Sequence, residues 1–230
     1  MFIVLKKVHV IIILAVVLGV FCGLFRICAK EPVSAVPTDS SNVFIIDPGH
    51  GGMDSGAVGT SGVLEKDINL QVALKLKSLL EEKGKTVLMT RETDKSLHTT
   101  NSKKIRTQKR SDLEYRKNMI TANNGATFVS IHMNKFEQSK YRGAQVFYAD
   151  NDKSRALGEN IQKALREGID DGNERVAKTI PSDVFILKGV TSPAVIVECG
   201  FLSNPDEEKL LTEDNYQNLL AQCILNGLLY

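Results

Sequence analysis

Cysteine is scarce in this chain and unpatterned. Of four cysteines in 230 residues, Cys22 and Cys28 lie in or beside an apolar stretch, and Cys199 and Cys223 form no Cys-x-x-Cys pair. That argues against a disulfide framework, and buried free thiols are the expected state. No lipid-attachment box precedes Cys22 or Cys28, because Phe21 and Ile27 are too large. An excess of one charge sign is also missing. The first 30 residues carry Lys6, Lys7, Arg26 and Lys30 and no acid, so the remainder, with 25 basic against 27 acidic residues, is net −2. General affinity for nucleic acid is thereby excluded. No internal repeat is visible, and no helical His-Glu-x-x-His zinc motif occurs.

What is present begins with an apolar run. Residues 8–25 are broken only by His9 and two glycines, and as a helix they would extend about 27 Å, close to a bilayer core. Residues 1–30 therefore read as a membrane anchor or signal sequence, with the length favouring the anchor. Small residues at Val33-Ser34-Ala35 leave cleavage open, and basic residues on both flanks leave the orientation unset. Residues 31–42, with Pro32, Pro37 and a polar run, form a linker. The rest, 43–230, is 188 residues of ordinary globular composition, enough for one domain.

Strand and helix patterns alternate through that domain. Strands are expected at 43–47, 85–90, 128–132, 144–149, 184–187 and 194–198. Helices are expected at 66–83, with Ile68, Val72 and Leu76 at helical spacing, at 112–123, with Leu113, Met119 and Ile120 inward, at 154–168, and across 206–230. Alternation of this kind predicts an α/β fold, a three-layer α/β/α sandwich with a mostly parallel central sheet, because parallel strands need crossover connections. The stretch 91–111 is a long connection for such a domain. Between Asp94 and Asp112 it holds six basic residues and no acid, which is either a solvated loop or a surface for a polymer or protein partner.

Four residues stand where those elements begin or end. His50 sits on the glycine-rich turn Asp47-Pro48-Gly49-His50-Gly51-Gly52 behind the first strand, Glu65 opens the first helix, His132 ends the third strand, and Glu198 ends the sixth. In a parallel sheet, residues at the carboxyl ends of neighbouring strands converge on one crevice. Two histidines and a carboxylate are a first shell for catalytic zinc. A carboxylate at the tip of a buried strand must pair with something or act, and one facing the same crevice is placed as a general base. Each residue alone also has a structural reading. His50 would belong to a tight turn, Glu65 would face a helix dipole, His132 would be a hydrogen-bonded strand-end histidine, and Glu198 would pair with Arg91 or Arg116. The turn glycines are read as clearing space beside the His50 imidazole.

The segments DPGHGG (47–52), LEKDINL (64–70), TRETD (90–94), VSIHMN (129–134) and VIVECGFLSN (195–204) resemble the successive motifs of the zinc-dependent N-acetylmuramoyl-L-alanine amidases of the amidase-3 family. The resemblance spans 43–230. It implies Zn2+ held by His50, Glu65 and His132, Glu198 as the catalytic carboxylate, and hydrolysis of the amide between N-acetylmuramic acid and L-alanine in peptidoglycan. The stretch 104–113, the apolar anchor and the lack of cell-wall-binding repeats are similar to the sporulation-type, CwlD-like amidases. That narrower likeness implies removal of stem peptides for muramic-δ-lactam formation in spore cortex, export to the spore envelope or intermembrane space, and a lipoprotein activator, with 95–110 as one candidate surface. One departure is Met133, where a small residue usually follows the histidine; the larger side chain is expected to narrow the cleft. The same site chemistry also suits a cell-wall peptidase, and an anchored binding protein is the non-enzymatic alternative.

Overall fold

Residues 43–48 are buried along their whole length, as a strand covered on both faces must be. In the computed structural model, which describes residues 42–169, 172–181 and 183–230, this strand is β1 (Val43–Pro48). It is followed by α1 (Glu65–Glu82), β2 (Thr86–Met89), α2 (Ile105–Ala122), β3 (Thr127–Asn134), β4 (Gln145–Tyr148), α3 (Asp152–Ile169), β5 (Lys178–Thr179), β6 (Ala194–Phe201), α4 (Pro205–Thr212) and α5 (Asp214–Leu228). The anchor or signal sequence expected over 1–30 lies outside the described residues, as does the linker apart from Asn42.

The six strands form one sheet in the order β2-β1-β3-β6-β4-β5. Its pairs are parallel except β4 with β6, which is antiparallel. One face carries the main core, in which Val72, Leu76 and Leu80 of α1, Ile161 and Leu165 of α3, and Leu220 and Ile224 of α5 pack on Val129, Ile131, Val195 and Val197. The helix α1 stops where its sequence says it should. Gly84, at φ 71°, lets its own N–H reach Glu81 O at 2.9 Å and the Lys85 N–H reach Leu80 O at 3.0 Å, the paired bonds of a Schellman end. Alternation along the strands turns Asp47, Ser130, His132 and Glu198 to the other face. There Arg116 of α2 closes on Asp47.

Two expectations about the elements need correction, and one short strand is not expected from the sequence at all. The segment 184–187 is not a strand: its backbone folds into successive turns, with Val184 N–H to Pro181 O at 3.0 Å and Lys188 N–H to Phe185 O at 3.3 Å. Its apolar residues Ile186 and Leu187 are buried without joining the sheet. The second helix starts at Ile105 rather than 112, so much of the basic connection is helical. Its inward residues are Arg116 and Ile120, while Leu113 faces out. Finally, β5 has two exposed residues, Lys178 and Thr179, and no apolar signal by which to find it.

Candidate metal centre and catalytic cleft

The turn after β1 is unusual in its backbone. His50 has φ 61°, the one described non-glycine residue with positive φ, and Gly51 and Gly52 follow at 132° and 57°. A side-chain-bearing residue in that region is strained and stays there only when its surroundings hold it. Two buried arginines do so. Arg116 donates to Asp47 and to Asp112 Oδ1 (2.6 Å), and also to the carbonyls of Pro48 (2.9 Å) and His50 (2.7 Å). Arg91 donates to the carbonyls of Pro48 (3.0 Å), Gly49 (2.9 Å) and Lys66 (2.8 Å). Asp47 is also bonded by the hydroxyls of Thr90 (2.6 Å) and Ser130 (2.7 Å). Burial pushes its carboxyl up, but Arg116 and the two hydroxyls outweigh this and hold it below the ordinary value of 3.8. Further along, Gly52 is clamped: its N–H donates to Asp94 Oδ1 at 2.6 Å and its carbonyl accepts from Lys66 Nζ at 2.9 Å.

The turn aims His50 at Glu65, the first residue of α1. His50 Nε2 lies 3.1 Å from Glu65 Oε2, and His132 Nδ1 lies 2.9 Å from Glu65 Oε1. The candidate ligand atoms of the three residues all fall within 4.8 Å of one another. Glu65 does not face its own helix backbone. Its oxygens accept from Ala57 N–H (2.8 Å), Met133 N–H (3.1 Å) and Asn69 Nδ2 (3.2 Å), which fixes the carboxylate between the imidazoles. Burial alone would raise the Glu65 pKa, and the bonds from His132 and His50 reverse this and hold it far below the carboxylate range. Burial likewise pulls the His50 imidazole down, but Asp54 and Glu65 together hold it up at about 9. Oppositely charged partners crowd a compact donor set, a chemistry suited to a divalent cation once protons leave.

Two glycines make that proximity feasible, and they do so by space. A Cβ on Gly49 would fall 2.2 Å from the His132 ring, and one on Gly56 would fall 2.5 Å from Glu65 Oε2 and 2.6 Å from His50. The expectation that the turn glycines clear space beside His50 therefore shifts to His132 for Gly49, while Gly56, outside the motif, serves His50 and Glu65.

Glu198 is the register partner of His132 across β3 and β6. The register then shifts, with Asn134 opposite Phe201, a bulge of the kind that re-aims side chains beside active sites. Neither Arg91 nor Arg116 pairs with Glu198, because both are committed to the turn. Its Oε2 is shut off from solvent and has no hydrogen-bond partner. Burial pushes its carboxyl above the ordinary value of 4.5, although His132 opposes this. Met133, by contrast, does not narrow the cleft. It follows His132 on a strand, so its side chain points to the opposite face, and it is buried in the main core.

Sequence reasoning thus names the four residues that converge but misses their supports: Asp47, Arg91, Arg116, Asn69 and Asp54. Of these, Asp47, Asp54 and Asn69 lie within four residues of His50 or Glu65 in the sequence, whereas Arg91 and Arg116 carry no local signal. Cys199 and Cys223 are free and buried, as expected.

The family model for N-acetylmuramoyl-L-alanine amidases, Amidase_3, matches residues 44–230. The chain is 39% identical over 194 residues to the germination-specific N-acetylmuramoyl-L-alanine amidase of Bacillus subtilis (strain 168), covering 83% of this chain and 79% of that one. Among solved structures, it is similar to the CwlD amidase of Clostridioides difficile in complex with the GerS lipoprotein. That match has 45% identity and a TM-score of 0.78 and covers 81% of this chain and 95% of that one. The catalytic domain of CwlV, an N-acetylmuramoyl-L-alanine amidase from Bacillus (Paenibacillus) polymyxa var. colistinus, matches at 31% identity and a TM-score of 0.69, covering 81% and 95%. With these motifs, this sheet and these matches in place, the chain belongs to the N-acetylmuramoyl-L-alanine amidase family Amidase_3.

Proposed function

We propose that this protein is a zinc-dependent N-acetylmuramoyl-L-alanine amidase, with His50, Glu65 and His132 holding the metal and Glu198 moving the proton. The observation that carries the reading is the juxtaposition of a three-residue donor set within 4.8 Å with an unpartnered buried carboxylate oxygen on the neighbouring strand. The family match supports peptidoglycan as the substrate. When bound, zinc supplies a Lewis acid that polarises the scissile carbonyl and lowers the pKa of water.

The protein's own residues do the rest. Glu198, its pKa raised by burial, is strong enough as a base to take a proton from the attacking water as oxygen adds to the lactyl carbonyl carbon. It then delivers that proton to the L-alanine nitrogen as the carbon–nitrogen bond breaks. Glu65 keeps the two imidazoles in register, and its three hydrogen bonds stop it from turning away. Glu198→Gln tests this, because it keeps the shape and removes the base. The expected result is a protein that folds and binds zinc but releases no stem peptides from purified peptidoglycan. Wild-type release would refute the assignment. Mass spectrometry of the digest separates the rival chemistry: free intact stems with unsubstituted muramic acid mean amidase, and shortened stems still attached mean peptidase.

The likeness to the germination-specific enzyme and to CwlD supports a finer proposal: release of the stem peptides leaves muramic acid residues stripped for δ-lactam formation in spore cortex, outside the cytoplasm, with residues 1–30 tethering the domain to the membrane. We extend the partner class from the CwlD–GerS complex to a lipoprotein for this chain, with the start of α2 as its surface. Ile105 is 59% exposed there, beside exposed Lys103, Lys104 and Arg106. Reversing those three charges should abolish lipoprotein pull-down; unchanged capture would remove this surface.

A further inference from the structure

Asp54 lies between the proposed metal site and α2, and both of its oxygens are used. Oδ2 is 2.9 Å from His50 Nδ1. Oδ1 is 2.7 Å from Lys109 Nζ, which reaches across from α2. The Asp54 backbone cannot drift, because it exchanges hydrogen bonds with Gly51 at 2.9 and 3.1 Å. The carboxylate is thus set by the turn on one side and by a lysine ammonium on the other.

The consequence for His50 is a matter of tautomer. An imidazole whose Nδ1–H donates to a carboxylate presents its lone pair at Nε2, and Nε2 is the atom that faces Glu65 Oε2 at 3.1 Å. A carboxylate in this position also raises ligand basicity and fixes the ring plane. His50 needs such support more than His132 does. His132 is embedded in a central strand, whereas His50 stands on a turn at φ 61°. Asp54, Lys109, Gln108, Asp112 and His98 line a shallow pocket of about 10 Å³.

Building on the zinc reading, we propose that Asp54 and Lys109 are positioning residues for His50, so that the amino-terminal half of α2 sets the zinc affinity of the site through the chain Lys109–Asp54–His50.

The test measures the zinc dissociation constant of the full-length protein by competition with a chromophoric chelator, alongside the melting temperature of the chelator-stripped form. Asp54→Ala should weaken zinc by about 10- to 100-fold, the usual cost of losing such a carboxylate. Lys109→Met, which breaks a half-exposed pair (51% and 26%), should weaken it by up to about fivefold. Lys109→Arg should restore affinity. Combining Asp54→Ala with Lys109→Met should cost no more than Asp54→Ala alone, because the lysine acts only through the carboxylate. A twofold or smaller loss in Asp54→Ala overturns the proposal, as does full additivity of the two losses. If Asp54→Ala does not fold, Asp54→Asn takes its place with the same criteria. A purely structural role would lower the melting temperature of the stripped protein and leave zinc affinity unmoved. His50→Ala is the control for the underlying reading: if it binds zinc as wild type does, the metal assignment fails and this inference falls with it, whereas weakened zinc in His50→Ala with no loss in Asp54→Ala overturns this inference alone.

Discussion

Gly49→Ala adds one methyl group at the closest approach in the site, and its effect can be worked out from the coordinates. Gly49 is not among the residues with positive φ, so alanine meets no backbone objection there. The objection is the neighbour: the new Cβ would lie 2.2 Å from both Cε1 and Nε2 of His132. Ordinary contact is about 3.5 Å, so the methyl and the ring must separate by roughly 1.3 Å. The Gly49 side of the contact cannot yield. Its N–H is bonded to Ile131 O at 3.0 Å, and its carbonyl is bonded by Arg91 at 2.9 Å and Asn69 at 3.2 Å. The ring therefore moves, which disturbs its 2.9 Å contact from Nδ1 to Glu65 Oε1.

A shift of that size at a reacting centre costs about 10²-fold in rate, and overpacking costs about 1–3 kcal/mol of stability. For a domain of this size the latter is a melting-temperature loss of about 2–12 °C. The assays are zinc titration by chelator competition, thermal melting, and stem-peptide release from purified peptidoglycan. The expected signature is a folded protein with at least tenfold weaker zinc binding and about hundredfold slower release. A variant with wild-type zinc affinity and wild-type release would refute the claim that Gly49 is glycine to admit the His132 ring.

The acid limb of kcat/KM should lie above the ordinary glutamate value of 4.5, because burial raises the Glu198 pKa and activity needs the carboxylate ionised; a pH–rate profile with its limb below 4.5 would contradict this. Since that raised pKa disfavours the charged form in the fold, metal-free Glu198→Gln should melt at or above the wild type at pH 7, checked by calorimetry. Arg116→Met strips Asp47 of its guanidinium partner and should cost about 3–5 kcal/mol in urea unfolding. Asp47 has a depressed pKa in the fold, so its stabilisation is fully present above about pH 4, where the unfolded chain is also ionised, and drains away as pH falls through the lower folded value; loss of stability on raising the pH across this window would contradict the sign. Removing zinc from protein kept in free zinc at about a hundred times the dissociation constant should cost about 2.7 kcal/mol, a fall of about 5–11 °C in melting temperature between samples with and without chelator.

The convergence of His50, Glu65, His132 and Glu198 is legible in the sequence because parallel strands end on one side of a sheet, and the apolar runs that precede these residues mark the strands. The supports are not legible in the same way. Arg91 and Arg116 look like any other arginine in a chain with 29 basic residues, and their burial follows from contacts 42 to 69 positions away. The start of α2 is hidden for a local reason: Lys104 at its cap makes no side-chain hydrogen bond, so none of the usual stop-and-start chemistry marks it. The outward turn of Leu113 has another origin: the face of α2 turned inward carries Arg116, paired with Asp47, beside Ile120, so one of its buried positions is charged and the apolar pattern misplaces Leu113. Met133 shows the opposite case, because strand alternation alone already assigns it to the face away from the cleft.

The distribution of hydrogen bonds around the site divides its carboxylates into two kinds. Asp47 accepts from an arginine and two hydroxyls, Asp54 bridges a histidine and a lysine, and Glu65 accepts from two backbone N–H groups and an asparagine. Each of these must hold one charge state and one orientation, and each has a pKa pulled below the ordinary carboxylate range. Glu198 is the reverse. Among the described residues it supplies the one buried carboxylate oxygen without a partner, and its pKa is raised. An unsatisfied buried oxygen costs about 1–3 kcal/mol, and such a cost is expected where function needs it. A group that must accept a proton and release it in the same turnover cannot be locked by donors that fix it in the charged form. The missing partner on Glu198 is therefore what its proposed part as proton carrier requires, just as the crowded partners of Glu65 suit its proposed part as a fixed ligand.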